Sequence, residues 1–308
     1  SFVSEAYPDA DTFSVSTFSG TEGISQLYEF TSTLFCADSE IDLKSMLQNP
    51  ARFTIHWEED QALHIHGIIS HFEQLEEMNT MTRYEAVLVP RLWQSNLYLE
   101  NQLFLDKTVP EVIEEVLQQA GLTGQDYEFR LTRDYPSWEY ICQYQETDFN
   151  FISRWMEREG IYYFFEQADE LEKLIMTDSK TAHESIPHMS TISYNASADM
   201  NVQEEIVSSL ICTQRRLPKR VVLRDYNYRK PSLEIKGEAV VDEQGQGTVT
   251  IYGEHFKTPD KGNALASIRA EGLQSREKTY HGECTAPNMS SGFLFTLNDH
   301  YREGFNQE

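Results

Sequence analysis

Short runs in which apolar and polar residues alternate, separated by polar turns, fill the chain from residue 11 to about residue 104. Successive side chains of a strand point to opposite faces, so a period of two predicts strands with one buried face. Only one short helical candidate, Leu43 to Leu47, interrupts this pattern. The pattern predicts an antiparallel sheet or barrel. The predicted strands are residues 13–18, 27–35, 52–57, 63–72 and 83–90.

A helix is predicted directly after Thr108, where the period of the apolar residues changes. Thr108 and Glu111 have the spacing of a capping box, and Pro110 lies in the first turn, where a missing N–H is tolerated. Gly121 follows the last apolar position and is typical of a helix end. The apolar face of this helix consists of Val109, Val112, Ile113, Val116, Leu117 and Ala120.

Residues 143–166, QYQETDFNFISRWMEREGIYYFFE, are rich in aromatic side chains. Their spacing predicts a helix with a broad apolar face, for which Thr147 or Asp148 is the expected N-cap and Gly160 the left-handed end. That face consists of Phe149, Phe151, Ile152, Trp155 and Met156. Apolar runs at residues 138–144, 161–165 and 171–177 are predicted strands, the last two forming a hairpin.

The periodicity divides the chain into three parts and predicts an α+β fold that is mainly β. Residues 1–104 form a first β domain, residues 105–180 a mixed α+β insertion, and residues 181–308 a second β domain. Residues 181–204 are polar and irregular. Predicted strands follow at residues 205–212, 220–228, 232–240, 248–252, 279–285 and 293–297, with a helix near residues 263–274. Two β domains around a mixed unit suggest an internal duplication, although no direct repeat is visible.

Charge is the strongest compositional feature, with 50 acidic residues against 25 basic ones and a formal net charge of −25. Nucleic-acid binding depends on lysine and arginine displacing counterions, so this balance argues against DNA or RNA as a ligand. It indicates either a very soluble acidic surface or an assembly component that avoids polyanions and anionic membranes. No apolar run approaches the roughly 18–20 residues that cross a bilayer, so neither membrane insertion nor Sec export is predicted.

The four cysteines lie far apart and lack the C-x-x-C spacing of zinc or thiol-redox sites. Their place in apolar runs predicts reduced, buried thiols and folding in the cytoplasm. These residues are Cys36, Cys142, Cys212 and Cys284.

Two histidines, His64 and His66, fall on one face of a predicted strand, with His71 nearby at the opposite parity. A metal site needs at least one further ligand, and none is evident. We therefore predict no metal-binding and no cofactor-binding residue, and no cofactor.

The best local group of carboxylates is Glu146 and Asp148, beside Arg154 and Arg158. A glycosidase needs a carboxyl pair, one with a raised pKa in an apolar cleft, but capping and ion pairing explain this group more simply. Cys142, with a distant histidine, could be a thiol nucleophile. A cysteine in an alternating strand is, however, far more often a core residue. No nucleophile elbow, zincin, Walker or dinucleotide-binding motif occurs. No catalytic residue is predicted.

The order Gln-Tyr-x-Glu-x-Asp-x-x-Phe-x-x-Arg-x-x-x-x-x-Gly-Ile-x-Tyr-x-Phe in residues 143–165 resembles the N-terminal hub region of the VgrG family, the spike proteins of type VI secretion, and the phage late-control D proteins. Further segments in the same order resemble that region over about 230 residues. They are HGIISHF (66–72), YEAVLVPRLW (84–93), KTVPEVIEEVL (107–117) and LRDYNYRKP (223–231).

The resemblance implies a structural hub like that of the T4 tail, with two antiparallel β-barrel tube domains per chain and the mixed unit inserted between them. Three chains would then present six similar barrels, on which a hexameric Hcp tube docks. A PAAR tip protein and effectors are further implied partners. The protein would assemble in the bacterial cytoplasm and leave through the injection machine to the extracellular space or a target cell.

Family members continue into an OB-like neck and a trimeric needle, and residues 1–308 contain neither. The alternatives are a shortened chain and a remainder that is disordered or cleaved. Two other functions stay open: a cell-wall glycosidase of a phage baseplate, and a carbohydrate-binding β-sandwich module whose exposed aromatic side chains stack on sugars.

Overall fold

A computed structural model of the protein describes residues 1–58, 61–168, 170–187, 190–196 and 205–307. The chain divides into two compact units, and strands outnumber helices in each. The first unit comprises residues 1–157, 161–190 and 287–295, and the second comprises residues 158–160, 191–286 and 296–308. Within the described ranges, no helix is both long and apolar enough to cross a bilayer.

A six-stranded antiparallel sheet forms the N-terminal part of the first unit, as the alternating pattern predicts. Its strands, in sheet order, are β1 (Phe2–Ser4), β4 (Pro50–Glu58), β5 (Gln61–Met78), β6 (Met81–Val89), β3 (Gln26–Cys36) and β2 (Ser14–Gly23). A short helix, α1 (Leu43–Gln48), lies where the helical candidate was predicted. The sequence pattern missed only β1, which is three residues long.

Aromatic contacts between its two ends indicate that the six-stranded sheet is curled, but the described residues include no backbone pairing that closes it into a barrel. Phe18, on the terminal strand β2, stacks on Phe53 of β4 with ring centroids 4.2 Å apart. Phe2 of β1 meets Phe13 edge-on at 5.7 Å. The two ends of the sheet thus share an aromatic core, and a closed barrel stays a prediction.

The rest of the first unit is mixed α and β. A 3₁₀-helix (Arg91–Leu97) leads into β7 (Leu99–Lys107), which pairs with β9 (Trp138–Thr147) in a separate two-stranded antiparallel sheet. A second sheet contains β8 (Tyr127–Arg130), β10 (Tyr162–Gln167) and β11 (Glu172–Thr177). Strands β10 and β11 form the predicted hairpin, whereas β11 and β8 pair in parallel, which local patterning did not indicate.

Both predicted helices of this region are confirmed. Helix α2 (Val109–Gln119) begins with a complete capping box, in which Glu111 Oε2 accepts the Thr108 backbone N–H at 2.7 Å. Helix α3 (Asp148–Glu159) is capped by Thr147, whose hydroxyl accepts the Asn150 N–H at 3.2 Å. It ends before Gly160, whose φ of +68° is the left-handed conformation that glycine adopts without strain.

One core joins the two helices to the sheets around them. The predicted apolar face of α2 is buried throughout, and that of α3 contributes Phe151, Ile152 and Met156 to the same core. Phe149 and Trp155 are only partly buried and pack at its edge. Phe104 of β7 stacks on Phe151 at 5.7 Å, so the two-stranded sheet covers α3 directly.

The described residues of the second unit form two small sheets, one α-helix and a short 3₁₀-helix (Glu303–Phe305). The first sheet, in order, is β17 (Lys278–Cys284), β13 (Ile206–Gln214), β12 (Thr191–Tyr194) and β18 (Thr296–Asn298), and the second is β15 (Ile235–Val240), β14 (Arg220–Asp225) and β16 (Thr248–Tyr252). Of the predicted irregular segment, residues 188–189 and 197–204 lie outside the described residues, and the remainder contains β12.

Helix α4 (Pro259–Gln274) packs on the β15–β14–β16 sheet through Leu265 and Ala266. It begins four residues earlier than the predicted helix near residues 263–274, because Thr258 caps it and Pro259 opens its first turn. Gly237 of β15 and Gly262 of α4 bring the helix very close to the sheet. A Cβ on Gly237 would lie 2.1 Å from the Gly262 carbonyl carbon, so a side chain here would force the backbones apart.

Candidate interaction surface

The two histidines singled out in the sequence, His64 and His66, both lie on β5. His64 Nδ1 is 3.1 Å from the Thr54 hydroxyl, and the ring centroid of His66 is 6.2 Å from that of His64. Burial, followed by the charge of Arg52, lowers the pKa of His66. His71 is separate and lies beside Glu73. In the part of the chain that the structure describes, no group of three or more His, Cys, Asp or Glu side chains could hold a metal ion.

The carboxylates near the start of α3 are held by structural partners. Glu146 accepts three hydrogen bonds from Arg154, two from Nε at 2.8 and 3.1 Å and one from Nη2 at 2.7 Å. Buried Asp148 accepts a 2.7 Å hydrogen bond from Gln143 Nε2. The pKa of Asp148 is raised, mainly because the side chain is buried. The hydrogen bond from Gln143 opposes this shift, and the charge of Glu100 adds to it. The group thus consists of an ion pair and a buried helix-start contact. Arg158, which was predicted beside it, pairs instead with Glu254 at 3.3 Å.

The prediction that the cysteines are buried is confirmed for Cys36 alone. All four are free thiols, but only Cys36 is buried, whereas Cys142 and Cys284 are exposed and Cys212 is intermediate. Cys142 is exposed because β9 turns its other face, with Ile141, toward the core. An apolar residue in a strand is buried only if its parity matches the covered face.

A cleft of about 260 Å³ lies in the first unit, with three aromatic rings in its wall. Several of the polar groups beside these rings are hydrogen-bonded within the chain. Glu22 Oε1 accepts the Ser291 N–H at 2.6 Å, and Asn288 Nδ2 donates to the Pro187 carbonyl at 3.0 Å. These contacts tie residues 287–293 to the rest of the first unit. The aromatic side chains are Trp57, Phe165 and Phe293.

One face of the β7–β9 sheet leaves several large apolar side chains in water. The register places Leu103 opposite Cys142 and Leu105 opposite Tyr140 on the same face. Leu105 is 57% exposed, Leu103 59%, Tyr140 62% and Tyr144 68%, although all four lie in regular strands. We call this surface the ribbon face, and it consists of Leu99, Leu103, Leu105, Tyr140, Cys142 and Tyr144.

Sequence reasoning missed the ribbon face because β9 is apolar at both parities. Trp138, Tyr140, Cys142 and Tyr144 share one parity and Ile141 has the other, so the alternation alone favours burying the wrong set. In the structure, Ile141 and Gln143 point to the core, and Gln143 is buried against Asp148. None of the six side chains of the ribbon face is charged, in a chain with a net charge of −25.

A profile of the family described as the phage tail baseplate hub (GPD) matches residues 21–308. Two type VI secretion system spike proteins of Pseudomonas aeruginosa are similar along most of the chain. VgrG1b is 27% identical over 304 residues, covering 97% of this chain and 40% of the relative. VgrG5 is 32% identical over 304 residues, covering 96% and 37% respectively. The chain thus spans about two fifths of the length of these relatives.

Solved structures share the fold. An E. coli component of the type VI secretion system, described as structurally similar to the T4 bacteriophage tail proteins gp27 and gp5, matches with a TM-score of 0.72 at 20% identity, over 97% of this chain and 67% of that one. A 43 kDa tail protein of prophage MuSo2 from Shewanella oneidensis matches with a TM-score of 0.60 at 12% identity, over 96% and 86%. The predicted resemblance to spike and tail hub proteins is confirmed.

Proposed function

The chain belongs to the phage tail baseplate hub family, and from this membership we propose that it is the hub of a VgrG-like spike in a contractile injection machine. The observation that carries the proposal is the family match over residues 21–308, which includes parts of both compact units. Membership of a family of structural hub proteins also confirms the prediction that this part of the protein is a structural component and not an enzyme.

The proposed hub is a homotrimer. Each chain contributes two tube domains, residues 1–104 and 181–308, and residues 105–180 form the insertion between them. Three chains then present six β-rich domains to a hexameric Hcp tube, which resolves the mismatch between a threefold spike and a sixfold tube. The curled six-stranded sheet with its aromatic core supports a barrel-like first domain. A PAAR tip protein and effectors are proposed as further partners.

Delivery follows from the same proposal. The hub folds in the bacterial cytoplasm, with its four cysteines as free thiols, and leaves the cell with the spike. A surface with a net charge of −25 limits adhesion to nucleic acid before assembly. We expect the protein to be found in the medium of cells with an active injection machine. In cells whose machine lacks the contractile sheath, we expect it to stay inside the cell.

Light scattering coupled to size exclusion tests the assembly directly. We expect a mass close to three times 35.7 kDa, and threefold rings about as wide as a hexameric tube in negative-stain images. A strict monomer that clears peptidoglycan would support the glycosidase instead. A monomer that binds glycans without turnover would support the carbohydrate-binding module.

A further inference from the structure

The ribbon face is about as large as the largest apolar patches that soluble monomers expose, and such patches often mark binding sites. From the exposed fractions of its leucines and tyrosines, it leaves on the order of 600 Å² of mainly apolar surface in water. A specific interface buries about 800 Å² on each partner, so this face with a narrow rim suffices for one side of a stable contact. Exposed aromatic side chains at the centre of such a patch are typical binding anchors.

The face is preformed and rigid, because its reverse side belongs to the core. Phe104 and Ile141 point inward from β7 and β9 and are buried against α2 and α3. Phe104 stacks on Phe151, and Gln143 is fixed by its hydrogen bond to Asp148. A partner therefore meets a surface that loses little conformational freedom on binding.

The net charge of the chain indicates which partner fits the ribbon face. Two copies of a chain with a net charge of −25 repel one another across most of their surfaces, and they associate most readily through a surface without charged side chains. A basic partner would instead be drawn to the acidic surface and would gain no charge attraction here. We propose that the ribbon face packs against a second copy of this chain, and this inference rests on the homotrimer of the proposed function.

Two native cysteines provide the test without any substitution. Cys142 lies at the centre of the ribbon face, and Cys284, also exposed, lies outside it on β17. The full chain is labelled with a maleimide for increasing times, in its oligomeric state and after dilution to monomer, and the two sites are read by mass spectrometry. We expect oligomerisation to slow labelling of Cys142 about tenfold or more relative to Cys284.

The outcomes separate this inference from the proposed function. If light scattering shows only monomer at every concentration, the proposed trimer itself is wrong. If an oligomer forms and Cys142 reacts as fast as in the monomer, the trimer stands and the ribbon-face contact is wrong. Protection of Cys142 that appears only when a tube protein is added would assign the face to that other partner and equally overturn self-packing.

A pair of variants gives independent evidence. Leu103→Glu places a charge on the ribbon face, and Ile24→Glu places one on another apolar side chain of the first unit, which is 51% exposed. Both positions face water, so circular dichroism should show an unchanged fold for each. We expect Leu103→Glu to raise the dissociation constant of the oligomer about tenfold or more, and Ile24→Glu to leave it unchanged. Equal oligomerisation of both variants would refute the contact.

Discussion

Asp178, at the end of β11, accepts five hydrogen bonds and should stabilise the first unit in a pH-dependent way. Its Oδ1 accepts the N–H and the hydroxyl of Thr132, both at 2.8 Å. Its Oδ2 accepts the Arg133 N–H at 3.0 Å, Arg133 Nε at 3.2 Å and the Tyr135 hydroxyl at 3.0 Å. Burial alone raises the pKa of Asp178, but the donors outweigh it and lower the pKa from 3.8 to about 2.

The size of the effect follows from this pKa. A lowering from 3.8 to about 2 corresponds to roughly 2 kcal/mol of stability, because each pKa unit is worth about 1.4 kcal/mol and the side chain is fully buried. Asp178→Asn also turns an amide N–H₂ toward groups that are themselves donors. We expect its free energy of unfolding at pH 7 to fall by about 2–3 kcal/mol relative to the wild type.

The pH dependence has a definite sign. A carboxyl whose pKa is lowered by folding contributes its stability above the unfolded pKa, and loses it as the pH falls from 3.8 toward about 2. The difference between wild type and Asp178→Asn should therefore be constant from pH 8 to about pH 5 and shrink below pH 4. The other 49 acidic residues are present in both proteins, so comparing the two stabilities at each pH removes the contribution of those residues.

Urea unfolding followed by tryptophan fluorescence is the appropriate assay. All four tryptophans, at positions 57, 93, 138 and 155, lie in the first unit, so the signal reports on that unit. Asp134→Asn is the matched control, because Asp134 is an exposed neighbour and its replacement should change stability by less than about 0.5 kcal/mol. Equal stabilities of wild type and Asp178→Asn at pH 7, or a difference that persists unchanged below pH 4, would refute the reasoning.

Three further substitutions probe packing and capping. Phe151→Asp places an unpaired charge in the core and should lower the free energy of unfolding by several kcal/mol. Trp155→Asp lies at the partly exposed edge of the core and should lower it less. Equal losses of stability in urea unfolding would contradict the observed burial. Gly237→Ala drives a Cβ into the backbone of Gly262 and should destabilise the second unit by about 1–3 kcal/mol, seen as faster amide hydrogen exchange in α4 and β15; unchanged exchange would show that the helix moves aside freely. Thr108→Ala removes the capping-box hydroxyl of α2 and should cost about 1 kcal/mol in urea unfolding, with Thr108→Ser retaining most of the stability; an unaffected alanine variant would show that the box contributes little.

The helices of the first unit were predictable because their signals are local. The capping box of Thr108 and Glu111, the apolar face of α2, the apolar face of α3 and the left-handed Gly160 all lie within a few turns of the groups they contact. Residues three or four apart become neighbours wherever a helix forms, so their contacts do not depend on the rest of the fold. The antiparallel strands of the N-terminal sheet were likewise recognised from their period of two.

Contacts between distant segments were not predictable. The parallel pairing of β8 with β11 joins residues more than 40 positions apart, and no local pattern specifies it. The donors to Asp178 come from a segment about 45 residues earlier in the chain. The candidate carboxylate group was foreseen as an ion pair and a cap, yet the burial of Gln143 beneath it was not.

By itself, the sequence determined most of the segments that become strands and helices, although not β1, β7 or β12. It also determined the absence of recognisable catalytic motifs and the resemblance to spike and tail hub proteins. The tertiary structure alone decided which face of β9 is covered. Both parities of that strand carry apolar side chains, so the choice depends on the strand that pairs with it and the helices that pack beneath it. Pairing with β7 over α2 and α3 buries Ile141 and leaves Tyr140, Cys142 and Tyr144 in water, because a strand can turn only alternate residues toward one core.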